Sequence, residues 1–431
     1  MQRLSYFERG QKIGHALSFY LVLGLAFICL RSAQAANIDD DIGKSHTDTK
    51  HVVLLSLDGF RHDYIDLHDA KNIRRIASNG VRATSMQPVY PANTFPNHIS
   101  IVTGLHPTNH GIVNNAFYDK DRIKKGEYSR YRLGMGKDDS TWINATPLWN
   151  LVEFNGGKAA TFFWPESDAR IGGATPTYHF HYSKYANYEQ RIQQMLTWLS
   201  LPETSRPTFI AGYFSLIDTV GHDEGPTSVK TRAAVQKLDK LVGDFYDKLI
   251  ALPINIDLVI VSDHGMTPVD DTLLVSDTEL HIPNTFIYEN EGAQISLYAK
   301  PGVTLDDIEA EKKRLSDIAN GRFQVLSEAA RAQRHFSVSP RTGDIVVEIA
   351  PPARFVSAQP SHVSKGGHGY VNTHPDMGAL FVAAGPSFHK GKVIGEFSNL
   401  EIYPAIAQIL GVGLLTPVDA EVAVLKEALV E

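Results

Sequence analysis

At 431 residues, 43% of them apolar, the chain is long enough to bury a sizeable core, and its formal charge of −7 argues against a non-specific nucleic-acid binder. A single cysteine, Cys29, excludes a disulfide framework. Any anionic ligand must therefore be drawn by a local cation.

Arg3, Arg9 and Lys12 precede an apolar run at 17–30, and Ala33-Gln34-Ala35 follows as a small-residue cleavage pattern. Residues 1–35 thus read as a secretory signal peptide, since about 14 apolar residues fall short of the roughly 20 that span a bilayer. Cys29 lies inside this leader, and Ala26-Phe27-Ile28 before it is unlike a lipid-attachment box. The leader carries a net +3, so the mature chain stands at −10, without cysteine and without a transmembrane anchor. A periplasmic or secreted location is expected.

Residues 36–50 read as a loose lead-in and 51–431 as one catalytic domain. Apolar runs at 52–57, 159–163, 209–216, 258–262 and 379–383 alternate with helical patterns. Val235, Leu238, Leu241, Val242, Phe245 and Leu249 recur at helical spacing, as do Ile192, Met195, Leu196 and Leu199. This alternation predicts an α/β fold with a largely parallel sheet covered by helices on both faces. The stretch 267–361 breaks the pattern: short strands at 295–298 and 345–349 flank a charged helix at 305–318, which reads as a small α+β insertion.

Chemistry in an open α/β sheet collects beyond the carboxyl ends of its strands. Asp58 follows the first apolar run, Asp218 the third, and Asp263 and His264 the fourth. His222, four residues after Asp218, shares its helical face, and His368 sits between Gly367 and Gly369. Singly, each has an ordinary alternative: Asp58-Gly59 a turn, Asp218 a helix cap, the His368 segment a flexible loop. Together, three carboxylates and three imidazoles outline a two-metal site. Two divalent ions against three carboxylates leave a charge of about +1, suited to a phosphodiester monoanion. Three imidazoles favour zinc over calcium. Thr94, at the amino-terminal edge of a helix begun near Pro96, is placed to be a hydroxyl nucleophile, although a threonine there is more often only a cap. His68, His281 and His389 read as solvated or structural.

Five blocks carry a resemblance: Leu57-Asp-Gly-Phe-Arg61, Pro91-Ala-Asn-Thr-Phe-Pro-Asn-His98, Tyr213-Phe-Ser-Leu-Ile-Asp-Thr-Val-Gly-His-Asp-Glu-Gly-Pro226, Ser262-Asp-His-Gly-Met266 and Gly366-Gly-His-Gly369. In this order they resemble the nucleotide pyrophosphatase/phosphodiesterase family of the alkaline phosphatase superfamily, over about 52–414. Asn399-Leu-Glu-Ile-Tyr-Pro404 is a further family-like block. The resemblance implies an alkaline-phosphatase-like fold, two zinc ions and a covalent phosphothreonine on Thr94. It implies Asp58, Thr94, Asp263 and His264 as ligands of one zinc and Asp218, His222 and His368 as ligands of the other. Asn115 matches a donor to a non-bridging phosphate oxygen, while Phe95 and Tyr213 match aromatics lining the nucleotide slot. Without cysteine-rich or nuclease-like extra domains, the chain is similar to the compact bacterial members.

The expected reaction is hydrolysis of nucleotide diester or pyrophosphate bonds, releasing nucleoside monophosphate, with no stable nucleic-acid partner. Rivals within the superfamily are a phosphomonoesterase, a phosphonate hydrolase, and a choline or lysophospholipid phosphodiesterase. A sulfatase is disfavoured because no Cys-x-Pro-x-Arg or Ser-x-Pro-x-Arg segment is present. From another class, a catalytically silent metal-binding module is opposed by intact Thr94 and Asn115.

Overall fold

A computed structural model describes residues 49–431 apart from 359, 361, 422 and 431. The leader read at 1–35 lies outside the described residues. Among those described, no helix is long and apolar enough to cross a membrane.

The central sheet has eight strands: β1 (Lys50–Leu57), β2 (Val81–Ala83), β3 (Ala159–Phe162), β4 (Tyr178–Phe180), β5 (Phe209–Phe214), β6 (Asn255–Val261), β11 (Phe381–Ala384) and β12 (Lys392–Ile394); β7 to β10 belong to a second, smaller sheet, β7 (Phe286–Asn290), β8 (Gln294–Ala299), β9 (Gln324–Val325) and β10 (Ile345–Glu348). Across the large sheet the order is β12-β2-β11-β6-β1-β5-β3-β4. Strand β1 runs parallel to β5 and β6, and β3 parallel to β4 and β5. One strand departs from the parallel pattern: β11 is antiparallel to both β6 and β2. An apolar run reads the same in either direction, so its sequence carries no signal for this reversal.

Eight helices matter to the packing: α1 (Lys71–Ser78), α2 (Thr94–Thr103), α3 (Leu148–Phe154), α4 (Tyr188–Leu199), α5 (Leu216–Glu224), α6 (Val229–Leu249), α7 (Leu305–Ala319) and α8 (Ile402–Leu410). They cover both faces, as the continuous apolar strands require. On one face Val52 and Leu54 of β1 share a core with Ile99 of α2, Trp149 of α3 and Ile406 of α8. On the other, Val53 and Leu55 pack with Ile76 of α1, Met195 of α4 and Leu238 of α6. The run expected as a strand to 216 stops at Phe214; Leu216 opens α5 instead, and the chain turns onto the helix that carries Asp218 and His222.

Between 267 and 361 lies the antiparallel sheet β7-β8-β10-β9 with α7 against it, around a separate cluster including Ile295, Leu297, Leu315 and Val347. The hairpin Ala116–Lys124 and Glu127–Arg132 has no counterpart in the sequence reading. Its Tyr131 hydroxyl donates to the carboxylate of Glu166, a buried residue in the loop after β3. That same loop places Trp164, whose Nε1 donates to His98 O at 3.1 Å.

Burial raises the Glu166 carboxyl to about 7. A folded-state pKa above the unfolded value means the protonated form favours the fold. Its contribution is complete at low pH and lost as pH rises through about 7. Urea unfolding free energies measured from about pH 5 to 8 are expected to include a decline of at most about 1.4 kcal/mol per pH unit from this group. Glu166→Gln is expected to remove that component.

Candidate active site

Strands β5, β1 and β6 are neighbours, and parallel strands lie only about 4.8 Å apart. A carboxylate just beyond each carboxyl end is therefore within reach of the next. Asp58 follows β1, Asp218 stands in the first turn of α5 after β5, and Asp263 with His264 follows β6. His368 arrives from the far side, directly after the bridge in which Gly366 and Gly367 pair with Pro268 and Thr267.

All six side chains and Thr94 converge in one crevice. Asp218 Oδ1, His222 Nε2 and His368 Nε2 form a triangle with sides of 3.4, 3.0 and 3.5 Å. His264 Nε2 lies 3.0 Å from Asp263 Oδ2, 3.7 Å from Asp58 Oδ1 and 3.3 Å from Thr94 Oγ1. The two groups meet where the His264 and His368 rings stack, 3.8 Å apart. Tetrahedral zinc bonds of about 2.0–2.1 Å would put ligand atoms about 3.3–3.4 Å apart, close to these separations. Asp58, Asp263 and His264 lie close enough to hold one ion, as do Asp218, His264 and His368; Asp218, His222 and His368 are as close to one another.

Protonation states point the same way. His222 Nδ1 donates to Gly366 O at 2.9 Å, and His264 Nδ1 to Gly265 O at 2.8 Å. His368 Nδ1 faces Ala92 O at 3.3 Å, so it too carries the proton. With every Nδ1 engaged, the Nε2 atoms face inward; those of His222 and His368 present the lone pair a metal ligand needs, while the Asp263 carboxylate beside His264 favours its protonated form until a cation takes that place. Two such lone pairs, those of His222 and His368, then meet at 3.0 Å. The carboxylates are equally opposed: Asp58 Oδ1, Asp218 Oδ1 and Asp263 Oδ2 are buried and accept no hydrogen bond. Burial and the neighbouring charges of Asp263 and Asp218 push the Asp58 carboxyl well up. Burial opposes ionisation of Asp263 as well, but His264 and His98 outweigh it and hold that carboxyl low. The donor set fits cations and is poorly satisfied by protein alone.

Other contacts hold these groups in place. The Tyr213 hydroxyl donates to Asp58 Oδ2 at 2.5 Å, so this aromatic, read as part of the nucleotide slot, also braces a carboxylate. Gly59 N donates to Asp263 Oδ1 at 3.1 Å; with φ +70° and Asp218 Cα only 3.0 Å from where a Cβ would stand, the position requires glycine. His98, buried and missed by the sequence reading, donates from Nδ1 to Thr94 O at 2.8 Å while its Nε2 meets Ser56 Oγ at 2.8 Å. An i, i+4 histidine on an apolar helix gave no signal of this.

Thr94 is the first residue of α2, with Asn93 in the N-cap position, so its hydroxyl is not a cap. Thr94, Phe95 and Asn115 are each half-buried, open to the crevice. Asn115 Oδ1 accepts from Phe95 N at 2.9 Å. A backbone N–H can only donate, so that atom is the oxygen, and Nδ2 is the end left to donate elsewhere. His68 is buried and bonded to Pro226 O, and His281 and His389 are exposed.

The sequence pattern of the type I phosphodiesterase / nucleotide pyrophosphatase family matches residues 52–371. The chain belongs to that family. Ectonucleotide pyrophosphatase/phosphodiesterase family member 3 of Mus musculus is 31% identical over 373 residues, 84% of this chain and 42% of the relative. A venom phosphodiesterase of Naja atra is 31% identical over 372 residues, 84% of this chain and 44% of the relative. The chain thus spans less than half the length of these curated relatives. In fold it is similar to murine ectonucleotide pyrophosphatase/phosphodiesterase 5, solved as an inactive threonine-to-alanine variant in complex with AMP, with a TM-score of 0.80 and 23% identity over 88% of this chain and all of that one.

Stripping divalent cations with a chelator near pH 8 is expected to lower the melting temperature, because it uncovers the opposed carboxylates. Each kcal/mol lost corresponds to roughly 2–4 °C, or less in a chain of this size. Calorimetry with and without chelator checks this, and re-addition of the cation should restore the original transition.

Proposed function

We propose that the chain is an exported two-zinc phosphodiesterase that hydrolyses nucleotide diester or pyrophosphate bonds through a covalent phosphothreonine, releasing nucleoside monophosphate. The observation that carries this reading is Thr94 Oγ1 at the amino end of α2, 3.3 Å from His264 Nε2. Asp58, Thr94, Asp263 and His264 would hold one zinc, and Asp218, His222 and His368 the other. Bound there, zinc would favour the alkoxide form of a hydroxyl and offset the charge of the phosphate.

In the first step Thr94 Oγ1 attacks phosphorus in line. The Thr94 O–P bond forms as the P–O bond to the leaving group breaks, and the proton given up by the Thr94 hydroxyl is returned through solvent to the leaving oxygen. Asn115 Nδ2 donates to a non-bridging oxygen that gains charge in the transition state. The dipole at the start of α2 acts in the same direction. Water then attacks phosphorus from the opposite side, breaking the threonyl ester and restoring the hydroxyl. Two in-line displacements predict retention of configuration at phosphorus.

Phe95, directly after the nucleophile and half-exposed, and Tyr213 are the aromatic surfaces we assign to the leaving or retained nucleotide. The family match and the venom phosphodiesterase relative support a nucleotide diester over a monoester. The leader pattern at 1–35 supports export.

Thr94→Ala is expected to lower turnover of bis(4-nitrophenyl) phosphate by at least about a thousandfold while far-UV circular dichroism shows the fold retained. Full turnover in that variant would refute the reading. Faster hydrolysis of the mono-aryl ester than of the diester by the wild-type chain would favour a phosphomonoesterase instead.

A further inference from the structure

Three buried amides join the two halves of the crevice. His368 Nδ1 donates to Asn93 Oδ1 at 2.9 Å. Asn93 Nδ2 then donates to Asn114 Oδ1 at 2.7 Å, and the same oxygen accepts Asn115 N at 2.9 Å. Asn114 Nδ2 continues to Gln294 Oε1, 3.3 Å away on β8. Each orientation is dictated by its neighbour: His368 Nδ1 carries a proton because it also faces a carbonyl, and Asn114 Oδ1 must be oxygen because it accepts a backbone N–H. Asn93, Asn114 and Gln294 are all buried.

Asn93 has a second peculiarity. It stands at the N-cap of α2, where asparagine ordinarily satisfies a helix amide, yet its side chain makes no cap hydrogen bond. Its side chain is committed to His368 and Asn114. Room for it depends on Gly369, where φ is +89° and a Cβ would lie 2.5 Å from Asn93 Oδ1.

We propose that Asn93 and Asn114 are positioning residues forming one amide relay, which holds His368 in its Nδ1–H tautomer and sets the backbone from which Asn115 presents its donor. This rests on the phosphodiesterase reading for Asn115 and on metal binding alone for His368. The two ends of Asn93 have separable duties. Its oxygen serves the metal ligand; its NH2 serves Asn114.

The test uses the full zinc-loaded chain and two readouts, release of zinc to a coloured chelator and kcat and KM on bis(4-nitrophenyl) phosphate. Asn93→Ala is expected to release zinc about 10- to 100-fold faster, the usual effect of removing a histidine's supporting acceptor. Asn93→Asp should restore retention, because a carboxylate accepts from Nδ1, but leave kcat depressed, because it cannot donate to Asn114. Asn114→Ala should lower kcat about tenfold with zinc release unchanged. In an Asn115→Ala background the same substitution should cost nothing more, since it acts through Asn115.

Zinc lost as fast from Asn93→Asp as from Asn93→Ala would overturn the first half. An Asn114→Ala loss that multiplies unchanged onto Asn115→Ala would overturn the second. If the zinc-loaded wild-type chain turned over no phosphodiester, the phosphodiesterase reading would fall, and the zinc-release comparison would still decide the role of Asn93.

Discussion

Like groups are forced together at the carboxyl ends of three adjacent strands. Carboxylate oxygens of Asp58, Asp218 and Asp263 stand buried without hydrogen bonds, and the Nε2 lone pairs of His222 and His368 meet at 3.0 Å. An isolated buried charge costs several kcal/mol, and opposed ones cost more. The surrounding structure is arranged to keep them there. Every inward Nε2 has its Nδ1 tied to an acceptor, Tyr213 holds one oxygen of Asp58, and Gly59 N holds one of Asp263. Glycines recur around the crevice for the same reason: beside a converging backbone there is no room for a Cβ, as at Gly366, where one would lie 2.4 Å from Gly221 O.

Burial is graded across the crevice. Asp58, Asp263, His264 and His368 are shut away from solvent, Asp218 and His222 are half-buried, and Thr94, Phe95 and Asn115 stay half-open. Groups that would hold cations gain from exclusion of water, which strengthens electrostatic interaction. Groups that would meet a substrate must remain accessible. The segment that carries the small antiparallel sheet is fastened to this open side. Gln294 receives from Asn114, and Arg341 donates to Gly111 O, Trp142 O and Asp119. Loop 111–115, which carries Asn115, is thereby held between the main sheet and the small one.

Individual residues separate what was legible from what was not. The apolar runs, the shared helical face of Asp218 and His222, and the strand-end positions of Asp58, Asp263 and His264 could be read because period and position are local properties of a chain. The reversal of β11 could not, since an apolar run has no direction. Nor could His98, Asn93 and Asn114, whose partners lie on other elements. Tyr213 was legible as an aromatic beside the site but not as a donor to Asp58, 155 residues away.

The amino-acid sequence alone therefore determined the α/β class, a threonine at the amino-terminal edge of a helix and the inventory of ligand-type side chains, because these follow from composition and spacing. Only the tertiary structure decided which nitrogen of each histidine faces inward, which end of each asparagine donates, and which strand runs backwards. Those choices depend on hydrogen-bond partners brought together by strand order, and strand order is a property of the folded chain as a whole.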